Sequence, residues 1–246
     1  MQIITTAIIK GGTGKTTTAA ALAQAAAADR QKVLVIDLDP QANLSFFIGA
    51  DPGRPGSYEL LTGGEPGKLI QETKQGLAAI AASPDLATIK TAAGSAKRLA
   101  AALEPIKGKY DFIFIDTPPQ IGELTFNALQ ASTGLLIPLE SDNSSLQGLY
   151  QITDITSRLQ QSNPALQILG TLLTRYDSRP KLNRYLQEVI AEKGKEAGAP
   201  YLGAIRAGVA IREAQALQLS LFEYAPKSKP AQDYKAIYKA IKKKGK

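Results

Sequence analysis

Ile9-Lys10-Gly11-Gly12-Thr13-Gly14-Lys15-Thr16-Thr17 is the stretch whose reading decides the fold. It lies between an apolar run, Ile3–Ile9, and an alanine-rich segment that begins at residue 16. A glycine-rich turn ending in Gly-Lys-Thr, entered from a strand and left through a helix, is what a phosphate-binding loop requires. Gly11, Gly12 and Gly14 let backbone N–H groups curl around an anion without Cβ clashes, and Thr13 and Thr17 complete the loop. The following helix turns the positive end of its dipole on the same point. Lys15 supplies a charge for β- and γ-phosphates, and the Thr16 hydroxyl a ligand for Mg²⁺. An ordinary loop of this kind has Gly where this chain has Ile9, and here a second lysine, Lys10, opens the loop. Two lysines around one phosphate cradle are more than a single nucleotide needs.

Working outward, apolar runs alternate with helical stretches. Strands are predicted at Ile3–Ile9, Val33–Ile36, Leu77–Ala81, Phe112–Ile115, Gly134–Pro138 and Ile168–Leu173, with a short one at Leu202–Ile205. Several are continuous apolar runs, the mark of strands buried on both faces of a parallel sheet. Helices are predicted at 16–28, 93–106, 122–130, 145–160 and 181–196. The alternation predicts an α/β fold, a doubly wound, mainly parallel sheet with helices on both faces, of the P-loop NTPase type. Residues 49–69, rich in Gly and Pro, read as a surface loop, and no linker interrupts a single domain over 1–246. Ligands in such sheets bind at the carboxyl ends of the strands. Asp37 and Asp39 follow the second strand there, on one side of an extended segment, and Asp116 follows Phe112–Ile115. Four apolar residues ending in an acid have the form of a Walker B element.

Composition removes other chemistries. The 246 residues include no Cys and no His, so there is no thiolate, no imidazole base and no Cys or His metal site. Any acid–base or water-orienting work falls to carboxylates, lysines or tyrosines, and Asp39 is the best-placed carboxylate. The amino terminus has no signal-peptide pattern and no apolar run is long enough to span a bilayer, which predicts a cytoplasmic protein. The net charge of +7 is gathered at one end: residues 226–246 hold eight lysines and one acid, while the rest of the chain balances. A neutral body with a basic end suits a polyanion bound at one face.

Taken together these motifs resemble the ParA/MinD group of deviant Walker A ATPases, and more specifically the ParA partition ATPases. Lys10–Thr17 is similar to the deviant Walker A, Asp37-Leu38-Asp39-Pro40-Gln41 to the second motif, and Tyr110–Pro119 to Walker B. Leu136-Ile137-Pro138, Leu146-Gln147-Gly148, Gly170–Asp177 and Glu213-Ala214 extend the likeness nearly end to end. The chain departs from the group's usual residues at Ile8-Ile9 and at Ile205-Arg206-Ala207-Gly208-Val209, the loop that usually seats adenine. It looks like the small form, without the N-terminal DNA-reading extension. The resemblance implies ATP and Mg²⁺ as cofactors, held by Lys15 and Thr16, with Asp116 in the Mg²⁺ shell and Asp39 beside it positioning the attacking water. It makes Lys10 the signature lysine, which crosses to the phosphates of a partner subunit in an ATP-driven homodimer. It further implies non-specific DNA binding, a nucleoid location, and hydrolysis stimulated by a ParB-type partner.

The basic end discriminates between two functions. In a helix over 230–244, Ala231, Tyr234, Ile237, Tyr238 and Ile241 share one face, with Lys235, Lys239, Lys242 and Lys243 on the other. A MinD-like membrane-cycling ATPase would carry bulkier apolar residues there. The expectation is therefore that the apolar face docks onto the domain and the lysines meet DNA phosphates, joined by Arg175, Arg179, Lys181, Arg184, Arg206 and Arg212. A small-molecule kinase would explain the loop but neither Lys10 nor the basic end.

Overall fold

The computed structural model describes residues 1–91 and 94–244. Strands β1 (Gln2–Thr6), β2 (Val33–Asp37), β3 (Gln71–Glu72), β4 (Ala78–Ile80), β5 (Phe112–Asp116), β6 (Gly134–Leu139), β7 (Gln167–Tyr176) and β8 (Tyr201–Arg206) form one sheet in the order β3-β4-β2-β5-β1-β6-β7-β8. Every pairing is parallel except the short edge pair β3–β4. The helices in chain order are α1 (Lys15–Ala28), α2 (Asn43–Ile48), α3 (Ser57–Leu61), α4 (Pro66–Leu69), α5 (Arg98–Leu103) and α6 (Glu123–Ala131). They continue with α7 (Asn143–Leu159), α8 (Lys181–Glu196), α9 (Val209–Ala216), α10 (Leu221–Tyr224) and α11 (Lys229–Lys244).

The apolar runs read as doubly buried strands are so. Val33 and Val35 of β2, with Phe112 and Phe114 of β5, face the core beneath α1 and α11. Leu34, Ile36, Ile113 and Ile115, one residue along, face the opposite core with α5 and α6. Ile137, Leu139 and Leu173 pack a third cluster with α7 and α8. Successive side chains of a strand point to opposite faces, so a strand covered on both must be apolar throughout. The alanines of α1 are small enough to let it lie close to both the sheet and α11.

Three expectations need correction. The first strand ends at Thr6, not Ile9, because Ile8 turns into the core against Gly148 of α7 as the glycine loop begins. Residues 49–69 are not merely a surface loop: α3 and α4 form there, because Leu60, Leu61 and Leu69 are buried over β2 and β4 residues. Within the predicted helix 93–106, residue 93 lies outside the described residues, and the α-helical part is Arg98–Leu103 with tighter 3₁₀ turns on each side.

The expected docking of the last helix holds. Ala231, Tyr234, Ile237, Tyr238 and Ile241 of α11 are all buried, against α1 and β8. Burying the two isoleucines contributes about 3–6 kcal/mol between them. Among the described residues no helix is long and apolar enough to cross a membrane.

Candidate functional site

β1 sits where the chain order of the sheet reverses, flanked by β5 and β6, and the glycine loop leaves its carboxyl end. That is the crevice where such sheets bind ligands. Gly12 and Gly14 have φ of 79° and 82°, the left-handed region that side chains disfavour. A Cβ on Gly14 would also lie 3.2 Å from the Thr174 side chain. The Thr174 hydroxyl donates to the Thr13 carbonyl at 2.8 Å, so the end of β7 holds the loop from outside. The first turn of α1 starts at Lys15, giving the loop the free N–H groups of a helix terminus.

Lys15 is buried, and its Nζ donates to the Lys10 carbonyl at 3.2 Å, which keeps the loop curled. Burial lowers its pKa, and the carboxylates of Asp116 and Asp39 oppose this by favouring the charged form. Register places Thr6, Asp37 and Asp116 side by side at three strand ends. The aspartate that ends β2 and the one two residues on nevertheless part company. Asp37 is an internal brace, accepting from Ser45 N and Oγ at 2.8 Å each and from Asp39 N at 3.0 Å. Asp39 turns to the loop and lines a cavity of about 370 Å³ with Gly11, Gly12, Gly14, Lys15, Thr16 and Thr17.

Asp116 is fully buried, and its Oδ2 has no hydrogen-bond partner. Its pKa is raised, first by burial and then by the Asp37 charge, with the Thr16 hydroxyl and Lys15 pulling the other way. A buried carboxylate oxygen left bare next to a Thr hydroxyl and a Lys is uncompensated in the protein alone. Among the described residues no group of three or more acidic side chains could hold a metal by itself. Mg²⁺ commonly takes one or two protein ligands and completes its shell with phosphate oxygens and water.

Lys10 does not line this cavity. It forms an ion pair with Asp142 at the N-cap of α7, and lies 3.6 Å from Glu140 and 3.3 Å from Ser145 Oγ. Burial pushes the Asp142 carboxyl up, but hydrogen bonds from Lys10, Ser145 and Ser144 outweigh it and hold it at about 2. The partners of Lys10 were not legible beforehand, since they lie some 130 residues away.

A second cavity, about 710 Å³, adjoins the first and is lined by Thr174, Ile205, Arg206, Val209, Gln215 and Tyr234 among others. The divergent 205–209 segment is thus one wall of a cavity opening off the phosphate loop. Gln215 Nε2 donates to Thr17 Oγ1 at 3.0 Å, and Tyr234 OH lies 3.3 Å from Thr18 Oγ1.

The basic residues expected to meet DNA have different surroundings. Arg206 is clamped to Asp233 through its backbone N, Nε and Nη2 at 2.7–2.9 Å, and Arg212 borders the larger cavity. Lys242 pairs with Asp29 at 2.6 Å. Lys235 lies over the Phe222 ring, and Lys239 and Lys243 are exposed on the outer face of α11.

Residues 1–168 match the family model described as an AAA domain. The chain is 33% identical over 244 residues to the chromosome partitioning protein ParA of Myxococcus xanthus, covering 96% of this chain and 86% of the relative. Among solved structures it is similar to cobyrinic acid a,c-diamide synthase from Mycobacterium smegmatis with bound ATP analogue and magnesium. That likeness has a TM-score of 0.85 and 31% identity, over 100% of this chain and 97% of the other. It is also similar to the septum site-determining protein MinD from Pyrococcus horikoshii complexed with Mg-ADP. There the TM-score is 0.81 and the identity 26%, over 99% and 97% of the two chains.

Proposed function

Because the chain belongs to the ParA/MinD-type partition ATPase family, we propose that it is a DNA-segregation ATPase that binds DNA without sequence preference as an ATP-bound homodimer. The observation that carries this reading is the placement of α11. Its apolar face is spent on the fold, which leaves no amphipathic face for a bilayer, and Lys235, Lys239 and Lys243 are exposed on a helix that packs against α1, the helix leaving the phosphate loop. That arrangement favours DNA phosphates over a membrane surface, as a MinD-like cycle would need. A ParB-type partner would stimulate hydrolysis.

The residues fit a nucleoside triphosphate. The glycine turns of the loop leave N–H groups for phosphate oxygens, Lys15 holds a charge among them, and the larger cavity takes the base. Mg²⁺, held by Thr16 with Asp116 and Asp39 beside it, would neutralise charge between the β- and γ-phosphates, and the bare Oδ2 of Asp116 fits that shell. Asp39, at the mouth of the cradle, orients the attacking water.

Lys10 then has two partners available. In the single chain it rests on Asp142 and Glu140; in a two-fold dimer each Lys10 reaches the other subunit's phosphates. Lys10→Ala is expected to bind ATP and fail to dimerise. Light scattering with a non-hydrolysable ATP analogue checks this, and a wild-type protein that stays monomeric at high concentration with the analogue contradicts it.

The DNA surface is tested by reversing Lys235, Lys239 and Lys243 to Glu together. Lys242 is left in place because it holds Asp29. Duplex binding is expected to vanish while ATP affinity is kept. Duplex binding at the wild-type level in the triple variant would remove α11 from the interface. Wild-type protein that sediments with anionic vesicles and ignores duplex would favour the membrane-cycling reading.

A further inference from the structure

The two cavities beside the phosphate loop meet at three shared residues, Gly14, Thr17 and Arg175. A nucleotide with its phosphates in the smaller cavity and its base in the larger one must cross that junction. Gly14 and Thr17 belong to the loop and its helix and form the junction's floor. Arg175 lines the junction from the penultimate position of β7, next to Thr174, whose hydroxyl is bonded to the loop.

Arg175 is held there by an unusual backbone. Its φ is 50°, one of four positive values at non-glycine residues among those described. Such conformations are disfavoured for L side chains and cluster at ligand clamps. Among the described residues the guanidinium is paired with Glu140 Oε1 alone, at 3.0 Å, and the side chain is 69% exposed. Glu140 also faces Lys10 at 3.6 Å. The charge is felt deep in the larger cavity as well: burial pushes the Tyr234 phenol up to about 12, while the Thr18 hydrogen bond and the Arg175 charge work against it.

We propose that Arg175 binds the α-phosphate of the nucleotide in its own subunit, at the junction of the two cavities, and is not part of the DNA surface. The proposal rests on the nucleotide-binding reading above. The guanidinium leaves Glu140 and offers its planar fork of N–H donors to the phosphate nearest the ribose. Glu140 is then left to Lys10 alone. A contact to the α-phosphate is common to di- and triphosphates, so it strengthens both alike and does not select between them.

The test is calorimetry of Mg-ADP and a non-hydrolysable ATP analogue with wild type, Arg175→Ala, Arg175→Gln and Arg175→Lys. The side chain is mostly exposed, so the variants are expected to fold, and Arg175→Gln keeps length without charge. Loss of a charge-assisted phosphate contact weakens binding roughly 10- to 100-fold. The expected result is that factor for both ligands in the Ala and Gln variants, partial recovery with Lys, and duplex binding retained at saturating nucleotide. Affinity for ADP within about twofold of wild type, as at an uninvolved surface position, overturns the proposal. So does weakening of the triphosphate analogue alone, which puts the guanidinium on the γ-phosphate. Loss of duplex binding with ADP affinity intact returns Arg175 to the DNA surface. A wild type that binds neither ligand overturns the function proposed above, whereas a binding wild type with unaffected variants overturns this inference alone.

Discussion

Lys15→Ala is expected to bind Mg-ATP roughly 100- to 1,000-fold more weakly than wild type, within the span for deleting one partner of a buried charged contact. The side chain is almost wholly buried at the first position of α1, with Nζ on the Lys10 carbonyl; burial lowers its pKa, and the carboxylates of Asp116 and Asp39 favour the charged form. No other lysine lines the phosphate cavity, among the described residues, and Lys10 is engaged elsewhere. Truncation therefore removes the lysine charge from the cradle and leaves Asp39, which lines it, and the buried Asp116 without that cation. Calorimetry reads the loss directly, and wild-type affinity in the variant would show that the loop does not hold the nucleotide.

Asp39→Ala is expected to separate binding from turnover. Asp39 lines the cavity but is not needed to build the loop: its own bonds run to Gln41 and, through its N–H, to Asp37. ATP affinity should stay near wild type, while kcat falls roughly 100- to 10,000-fold, the span associated with a positioned proton acceptor or water-orienting group. With hydrolysis stalled, the variant should collect as an ATP-bound dimer by light scattering. Turnover like wild type, or a monomer at saturating ATP, would assign water positioning to another residue.

The glycine loop and the doubly apolar strands carried the fold because both are local signals. Strand β5 could be read from four residues, Phe112–Ile115, each facing a core that needs an apolar side chain. Short elements escaped for the opposite reason. Helices α2, α3, α4 and α10 have four to six residues, too few for a periodicity, and form because tertiary burial of Leu44, Leu60, Leu69 and Leu221 holds them.

The site was legible where its residues are consecutive and hidden where they converge from afar. Lys15, Thr16 and Asp39 line one cavity, as their motifs suggested. Asp142, the partner of Lys10, is an N-cap whose second use follows only from the crossing of β6 and α7 beside the loop. The basic end seemed remote from the loop in sequence, yet Tyr234 meets Thr18 and lines the larger cavity, so α11 touches both nucleotide cavity and outer surface. Arg206 reads as one more basic residue for DNA until the fold sets it against Asp233, and Arg175 until its left-handed backbone aims it over the loop.

The most direct measurement is duplex binding by the full chain over a salt series, with no nucleotide, with ADP and with a non-hydrolysable ATP analogue. If Lys235, Lys239 and Lys243 of each subunit meet phosphates in a dimer, log affinity falls with log salt at a slope of about −5 with the analogue. The slope is about half that, and binding far weaker, without nucleotide or with ADP, because a monomer offers half the contacts and no avidity. Binding should not depend on the duplex sequence. No duplex binding at low salt with the analogue, or equal binding and equal slope in all three states, would contradict an ATP-driven dimer acting on DNA.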